Sequence, residues 1–268
     1  MSCKSSLSSK PSHIEYIRRC IEARSESDRI IPVWLPLIPF IMILIFVCMS
    51  MLGVLIFIPL RHRPGIILPP ILWYTAASIM LIAAHLFNAY IVYRLVDRRN
   101  RHFRRVLRLF ESMKDYIVAV SVEKDVYVRD RLQLLERDIR DASYEWVERD
   151  AFVWAILQFI PVIGLLILIY VYHFLNRDFL AHSRMERYTL SSFSSVAMEV
   201  NPRFRPIGFN PDYVFPDRST AVYIVATIAT LGLFVIYWVY TLAKDPNEHF
   251  KEHRIMEDRL LEELSRIE

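Results

Sequence analysis

The chain has 268 residues, of which 54% are hydrophobic and 13% aromatic, and its formal net charge is +4. The apolar content exceeds the roughly 45–50% that is usual for a soluble domain. So small a net charge gives no support for a nucleic-acid partner, and the three cysteines, Cys3, Cys20 and Cys48, form no disulfide framework or paired metal spacing. The composition favours a membrane protein.

Four long segments contain no Asp, Glu, Lys or Arg. They lie between Arg29 and Arg61, Arg63 and Arg94, Asp150 and Arg177, and Arg218 and Lys244. Each exceeds the roughly 18 residues that cross a bilayer core about 30 Å thick, whereas a soluble fold would have to bury all four completely. The expected fold is all-α: a polytopic membrane protein with four transmembrane helices, internal repeats and cytoplasmic amphipathic helices.

These runs divide the chain into seven expected segments. They are a cytoplasmic N-terminal segment (1–29), a first transmembrane pair (30–95), a cytoplasmic helical hairpin (96–150), a third transmembrane helix (151–176), an extracytoplasmic loop (177–218), a fourth transmembrane helix (219–245) and a cytoplasmic C-terminal helix (246–268).

Arginine is concentrated on one side of this predicted topology. Seven arginines lie within residues 94–108, directly after the second span, and four lie within residues 18–29, before the first. By the positive-inside rule we expect both termini to be cytoplasmic, in a multi-pass protein of the cell membrane. The same arginines predict contact with anionic lipid headgroups of the bilayer.

The 96–150 segment carries two heptad seams separated by a predicted turn at 118–125. The first seam is Phe103, Val106, Phe110, Met113 and Ile117, and the second is Val128, Leu132, Leu135, Ile139, Ala142 and Trp146. Such faces must be buried against each other or against another subunit. We therefore expect a hairpin, and a homo-oligomer or a subunit of a membrane complex.

One phrase recurs along the chain. At a shift of 147 residues, Tyr90, Val92, Tyr93, Leu95, Asn100, His102 and Phe103 match Tyr237, Val239, Tyr240, Leu242, Asn247, His249 and Phe250. A looser copy follows the third run, where Asn176, Phe179, His182, Met185 and Glu186 match Asn247, Phe250, His253, Met256 and Glu257 at a shift of 71. Three copies of one unit is the preferred interpretation, and convergence of interfacial tyrosines is the alternative.

The phrase TLGLFVIYWVY, Thr230 to Tyr240, resembles the core of a small uncharacterised prokaryotic membrane domain with the pattern T-L-G-x-x-x-x-Y-W-x-Y. PVIGLLILIYVY, Pro161 to Tyr172, is similar without the Thr and the Trp, and AAHLFNAYIVY, Ala83 to Tyr93, keeps only the tyrosines. The resemblance covers about a quarter of the chain. It implies a domain of unknown function and no known activity.

The repeats allow two geometries. With four simple crossings, the third copy is inverted relative to the others, as in many secondary transporters. Alternatively, Pro161/Gly164 and Thr230/Gly232 mark re-entrant hairpins that return all three copies to one side, which requires protein or a water-filled cavity around the non-helical backbone.

Two trios step by four residues along predicted helices: His249, His253 and Glu257, and Asp178, His182 and Glu186. On one helical face, histidine and carboxylate ligands could bind Zn²⁺ or another divalent metal. The alternative is i,i+4 hydrogen-bonded and ion-paired side chains. Simple crossings put the trios on opposite sides of the membrane, so no metal or other cofactor is expected.

The second span carries a polar face made of Thr75, Ser78, His85 and Asn88. His85 is a candidate for a proton or solute pathway, and packing against a neighbouring helix is the alternative. Interfacial anchors are expected at Tyr90, Tyr93, Tyr172, Tyr237, Trp238 and Tyr240.

No G-x-S-x-G, phosphate loop or H-E-x-x-H occurs in the sequence, so an enzyme is not expected. The predicted function is that of an integral membrane structural or assembly protein that self-associates through its amphipathic helices. A small transporter or channel is the alternative.

Overall fold

The computed structural model describes residues 10–60 and 68–267, and it is built from helices without a strand in those ranges. The elements are α1 (Lys10–Glu22), α2 (Arg24–Ser27), a 3-10 turn (Leu35–Leu37), α3 (Ile38–Phe57), α4 (Leu68–Glu123), α5 (Arg129–Glu145), α6 (Ala151–Leu157), α7 (Ile163–Val200), α8 (Thr220–Ala229) and α9 (Phe234–Ile267). The all-α prediction is confirmed.

Three of these helices are long and apolar enough to cross a membrane. They span Leu35–Phe57, Pro69–Glu123 and Ile163–Val200. Helices α3 and α4 form an antiparallel pair in which the Trp73 indole N–H donates to the Met49 carbonyl at 2.8 Å. Since α4 has 56 residues, it is about 84 Å long, far more than the bilayer core needs.

The third charge-free run forms a short hairpin instead of one helix. Asp150 begins α6 as its N-cap, because its carboxylate accepts from the backbone N–H groups of the next turn. The chain reverses at residues 158–162, where Val162 takes a left-handed φ of 65°, and Trp154 then packs on Phe174 with their ring centroids 5.5 Å apart. The expected single helix over 151–176 is therefore wrong.

The fourth run folds in the same way. Ser219 caps α8, the chain turns at residues 230–233 through Gly232 with a φ of 94°, and α9 returns along α8. Tyr223 on α8 packs edge-on against Trp238 on α9 at 5.3 Å. The single helix expected over 219–245 is also wrong, and both turns lie where Pro161/Gly164 and Thr230/Gly232 suggested them.

Beyond the hairpins, α1, α4, α5, α7 and α9 pack into a helical body with one large hydrophobic core. Both predicted seams lie in this core, including Phe103, Phe110, Leu135 and Trp146. Helix α4 continues to Glu123, so the turn before α5 is shorter than expected, and α5 packs mainly on α7. The amphipathic faces are thus covered within one chain.

The segment expected to be an extracytoplasmic loop contributes to this same core. Residues 177–200 continue helix α7, and the irregular stretch after it buries Phe204, Ile207, Phe209 and Phe215 among the side chains of α4 and α9. The 177–218 segment therefore packs in the same helical body as the predicted cytoplasmic helices, and it is not the separate loop that was expected.

Two of the expected interfacial anchors are core residues. Tyr172 and Trp238 are buried, and their rings pack edge-on 5.6 Å apart in a second hydrophobic cluster near the base of the hairpins. Tyr90, Tyr93 and Tyr237 are exposed, as an anchor requires, and Tyr240 is half-buried.

Candidate functional site

Four histidines and two glutamates from three helices meet inside the helical body. Helix α4 supplies His102, α7 supplies His182 and Glu186, and α9 supplies His249, His253 and Glu257; we call this set the polar cluster. All six side chains have 0% exposure. The i,i+4 spacing on α7 and α9 places the partners of each helix on one face, one turn apart.

The carboxylate of Glu186 is the centre of the polar cluster. Its Oε1 lies 2.9 Å from His182 Nε2, 2.9 Å from His253 Nε2 and 4.0 Å from His102 Nε2, and its Oε2 lies 3.2 Å from His249 Nε2. Only His253 makes a well-aligned hydrogen bond to it. Among the described residues, the ring nitrogens of His182 and His249 have no hydrogen-bond partner.

A layer of charged groups surrounds the histidines. Asp28, in the segment after α2, accepts from His102 Nδ1 at 2.9 Å and from Arg105 at 2.7 Å. Arg105 also pairs with Glu257, whose carboxylate lies 2.9 Å from His253 Nδ1. The three buried carboxylates, Asp28, Glu186 and Glu257, thus face the guanidinium of Arg105, the guanidinium of Arg24 at 3.6 Å from Glu257, and the imidazole of His253.

Burial lowers the pKa of His102 to about 3 and that of His182 to about 4, because desolvation outweighs the attraction of nearby carboxylates. Desolvation acts on His253 as well, but Glu257 and Glu186 on either side raise its pKa to about 10. Burial alone would raise the pKa of Glu186, yet the surrounding histidines hold it well below its ordinary value. These shifts favour the protonated form of His253 and the neutral forms of His102 and His182.

This arrangement contains a set of potential metal ligands. One ligand atom each from His102, His182, Glu186 and His249 lies within 4.8 Å of the others. Neutral imidazole nitrogens and an ionised carboxylate are the donor types that bind zinc and neighbouring transition metals in proteins.

Three of the six predicted metal candidates, His182, Glu186 and His249, belong to that ligand set. His253 and Glu257 lie beside it. Asp178 lies elsewhere and forms ion pairs with Arg99 at 2.9 Å and Arg149 at 2.8 Å. Five of the six candidates thus meet in one cluster, whereas simple crossings were expected to keep the two trios apart.

His102 was not predicted as a metal candidate, although the repeat aligned it with His249. The repeat itself was the signal that could have identified it, since two aligned histidines on equivalent helices can reach one point. The aligned asparagines also play matching roles. Asn100 bonds to the backbone N–H and C=O of Arg149, before α6, and Asn247 bonds to those of Ile31, before α3.

A separate cavity of about 580 Å³ lies among the hairpins, and most of its lining is apolar. Of the predicted pathway residues, His85 and Asn88 line it, whereas Thr75 and Ser78 are exposed on another part of α4. Asn88 donates to the Gln158 side chain at 2.6 Å. Two of the four predicted pathway residues, His85 and Asn88, therefore lie at the same cavity.

Comparison with known proteins gives one match. Residues 218–261 match the family described as "Domain of unknown function (DUF4234)", which covers about a sixth of the chain, including the α8–α9 hairpin, His249, His253 and Glu257. No curated protein and no solved structure matches the chain. The sequence therefore carries a domain of unknown function, as the Thr230–Tyr240 phrase predicted.

Proposed function

We propose that this is an integral membrane structural protein in which three apolar hairpins enter the bilayer from one face. The observation that carries the proposal is the contrast between the exposed apolar turn of each short hairpin and the buried polar residues further along its longer helix. Val162 and Leu231, at the two short turns, are 90% and 95% exposed, while the helices leading from those turns, α7 and α9, carry the buried polar cluster further along their length. Apolar tips so exposed need lipid around them.

Helix lengths divide the three hairpins into two kinds. Helix α3 has 20 residues and rises about 30 Å, which matches the hydrocarbon core, so α3 and the first part of α4 would cross it twice. Helices α6 and α8 have 7 and 10 residues and rise only about 10–15 Å, so these hairpins would enter and return. The arginines around α1 and α4 favour the cytoplasm for the helical body.

Labelling of single cysteines tests this topology, in a chain whose three native cysteines are replaced by serine. We expect Asp130→Cys on α5 and Asp212→Cys after α7 to react with a membrane-impermeant maleimide from the same side of sealed vesicles. Val162→Cys and Leu231→Cys should be protected from both sides until detergent is added. Reaction of Asp130→Cys and Asp212→Cys from opposite sides would overturn the proposal.

The proposal also includes contact between the helical body and anionic lipid headgroups. Arg19, Arg101, Arg104 and Arg108 line an open groove of about 480 Å³ on α1 and α4. Arginines at this position interact favourably with phosphate groups of acidic lipids. Binding to vesicles containing phosphatidylglycerol, relative to phosphatidylcholine alone, should weaken when Arg101 and Arg108 are changed to Gln.

Self-association remains a prediction, but the amphipathic seams no longer support it. The seams that suggested it are covered within the chain, so a second copy would have to use other faces. Molecular mass measured in detergent by light scattering decides between a monomer and an oligomer.

A transporter is less well supported, because the polar side chains that would line its pathway already have hydrogen-bond partners. Asn88 and Gln158 bond to each other, and His85 Nδ1 lies 2.9 Å from the Leu81 carbonyl within its own helix. Polar side chains satisfied in this way stabilise helix packing. We therefore expect His85→Leu to leave solute flux into liposomes at the level of the native chain, and flux that depends on His85 would favour the transporter.

A further inference from the structure

We propose that His102, His182, Glu186 and His249 bind one divalent transition-metal ion, with zinc as the best fit, at the junction of the three long helices. The proposal goes beyond the membrane topology and does not depend on it. It rests on four features of the polar cluster: the orientation of the imidazoles, the role of His253, the unpartnered buried atoms and the enclosure of the site.

The hydrogen bond from His102 to Asp28 fixes which ring nitrogen can be a ligand. The Asp28 carboxylate accepts a hydrogen bond from Nδ1 of His102, so the ring proton lies on Nδ1. The lone pair on Nε2 of His102 then faces the centre of the polar cluster. A metal-binding histidine usually donates its other N–H to a carboxylate in this way, which orients the ring and strengthens the ligand. Asp28 is itself fixed by Arg105 at 2.7 Å.

His253 is better suited to a supporting role than to ligation. Its Nε2 donates to Glu186 Oε1 at 2.9 Å, and its Nδ1 lies 2.9 Å from Glu257. Both ring nitrogens of His253 face carboxylates, and no atom of His253 belongs to the four ligand atoms that lie within 4.8 Å of one another. It orients Glu186, so that the second oxygen of that carboxylate faces His249.

The remaining atoms are close together without hydrogen bonds to explain their proximity. His182 Nε2 lies 2.9 Å and His249 Nε2 lies 3.2 Å from the Glu186 carboxylate, yet His182 Nε2, His249 Nε2 and Glu186 Oε2 are buried and unpartnered within the described part of the chain. Buried polar atoms without partners are costly and rare. A cation between them would satisfy these atoms.

The enclosure of the site indicates the class of metal centre. A tetrahedral zinc ion holds ligand atoms at about 2.0–2.2 Å from the metal, and hence about 3.4 Å from one another. The four candidate atoms lie within 4.8 Å of one another. Small side-chain rotations would bring them to the separations of a tetrahedral zinc site. Since all four side chains have 0% exposure, the geometry fits a closed structural site that joins α4, α7 and α9.

The competing explanation is a metal-free cluster in which further histidines are protonated around Glu186. Metal analysis separates the two. The full chain, purified in detergent without chelator and without a polyhistidine tag, should contain about one zinc ion per chain by mass spectrometry. Less than a tenth of an ion, with no uptake after dialysis against zinc, would overturn the proposal.

Variants locate the metal. Glu186→Gln and His249→Gln preserve side-chain size, and each should lower metal affinity by at least about tenfold. His85→Gln and His173→Gln are matched controls, because His85 lies on the cavity and His173 lies beside Thr220, and both should retain the metal. Retention of full metal content by both ligand variants would exclude the assigned site.

A ligand variant that fails to fold still leaves the native chain as a test. X-ray absorption of the native protein should show only nitrogen and oxygen neighbours at about 2.0–2.1 Å, with the outer-shell scattering of imidazole. Sulfur at about 2.3 Å would assign the metal to cysteine instead and would overturn the proposal.

Discussion

The turn between α6 and α7 depends on the absence of a side chain at Gly164, which leads to a prediction for Gly164→Ala. A Cβ built on Gly164 would lie 2.0 Å from the Gln158 carbonyl oxygen and 2.8 Å from the carbonyl carbon. Both are backbone atoms, so no side-chain rotation can relieve the contact. An ordinary contact would require the two backbone segments to separate by more than 1 Å.

Three contributions determine how much this separation lowers the free energy of unfolding. Overpacking of this kind costs about 1–3 kcal/mol, and the short bond from Gly164 N–H to the Ile160 carbonyl, 2.7 Å, would be lost at a further cost of about 1 kcal/mol. The reduced flexibility of alanine in the unfolded chain offsets about 0.4–1 kcal/mol. We therefore expect Gly164→Ala to lower the free energy of unfolding by about 1–4 kcal/mol.

Gly208→Ala is the matched control, because a Cβ at Gly208 would meet nothing within 4 Å. It should leave stability unchanged or raise it by up to about 1 kcal/mol. Unfolding in mixed micelles by increasing sodium dodecyl sulfate, followed by far-ultraviolet circular dichroism, measures both variants. A Gly164→Ala chain within about 0.5 kcal/mol of the native chain would show that this turn is not tight.

Three further predictions concern buried polar groups, and the same unfolding assay measures each. Arg105→Met would remove the buried guanidinium that pairs with both Asp28 and Glu257 and should cost about 3–5 kcal/mol, whereas Arg104→Met, which breaks an exposed pair, should cost under about 1 kcal/mol; equal effects would contradict the buried pairing. Asn247→Ala removes three hydrogen bonds, two to Ile31 and one to Arg98, and should cost about 2–4 kcal/mol, while a neutral result would argue against this clamp. Removal of metal by a chelator should lower stability by about 4 kcal/mol relative to zinc at a thousand times its dissociation constant, and an unchanged transition would argue against the metal.

The sequence predicted the presence of apolar, membrane-length segments but not the path of two of them. A charge-free run of 25 residues has the same hydropathy whether it forms one helix or a hairpin, because hydropathy does not depend on chain direction. The reversal at Val162 uses a β-branched residue at positive φ, which is an uncommon conformation without a sequence signature. Pro161 and Gly164 were local cues, and they allowed the hairpin only as an alternative.

The polar cluster was partly predictable for a related reason. The i,i+4 spacing identified His182, Glu186 and His249 as side chains on helix faces, because that spacing is a local property. The distance between faces on different helices is a tertiary property, so an assumed set of simple crossings separated residues that lie in contact. His102 was indicated only by its alignment with His249, and Asp28 joined the site through long-range packing alone. Asp178 lies outside the site because it pairs with two arginines, Arg99 and Arg149.

The pairing of Arg105 with both Asp28 and Glu257 has a consequence for biogenesis. The partners of Arg105 are 77 and 152 residues away in sequence, so these contacts have high contact order. At about 5–20 residues per second, a ribosome needs on the order of 10–30 s to add the residues between Arg105 and Glu257. During that interval the nascent chain holds Arg105 without the carboxylate of Glu257, so this pair cannot form until α9 has been synthesised.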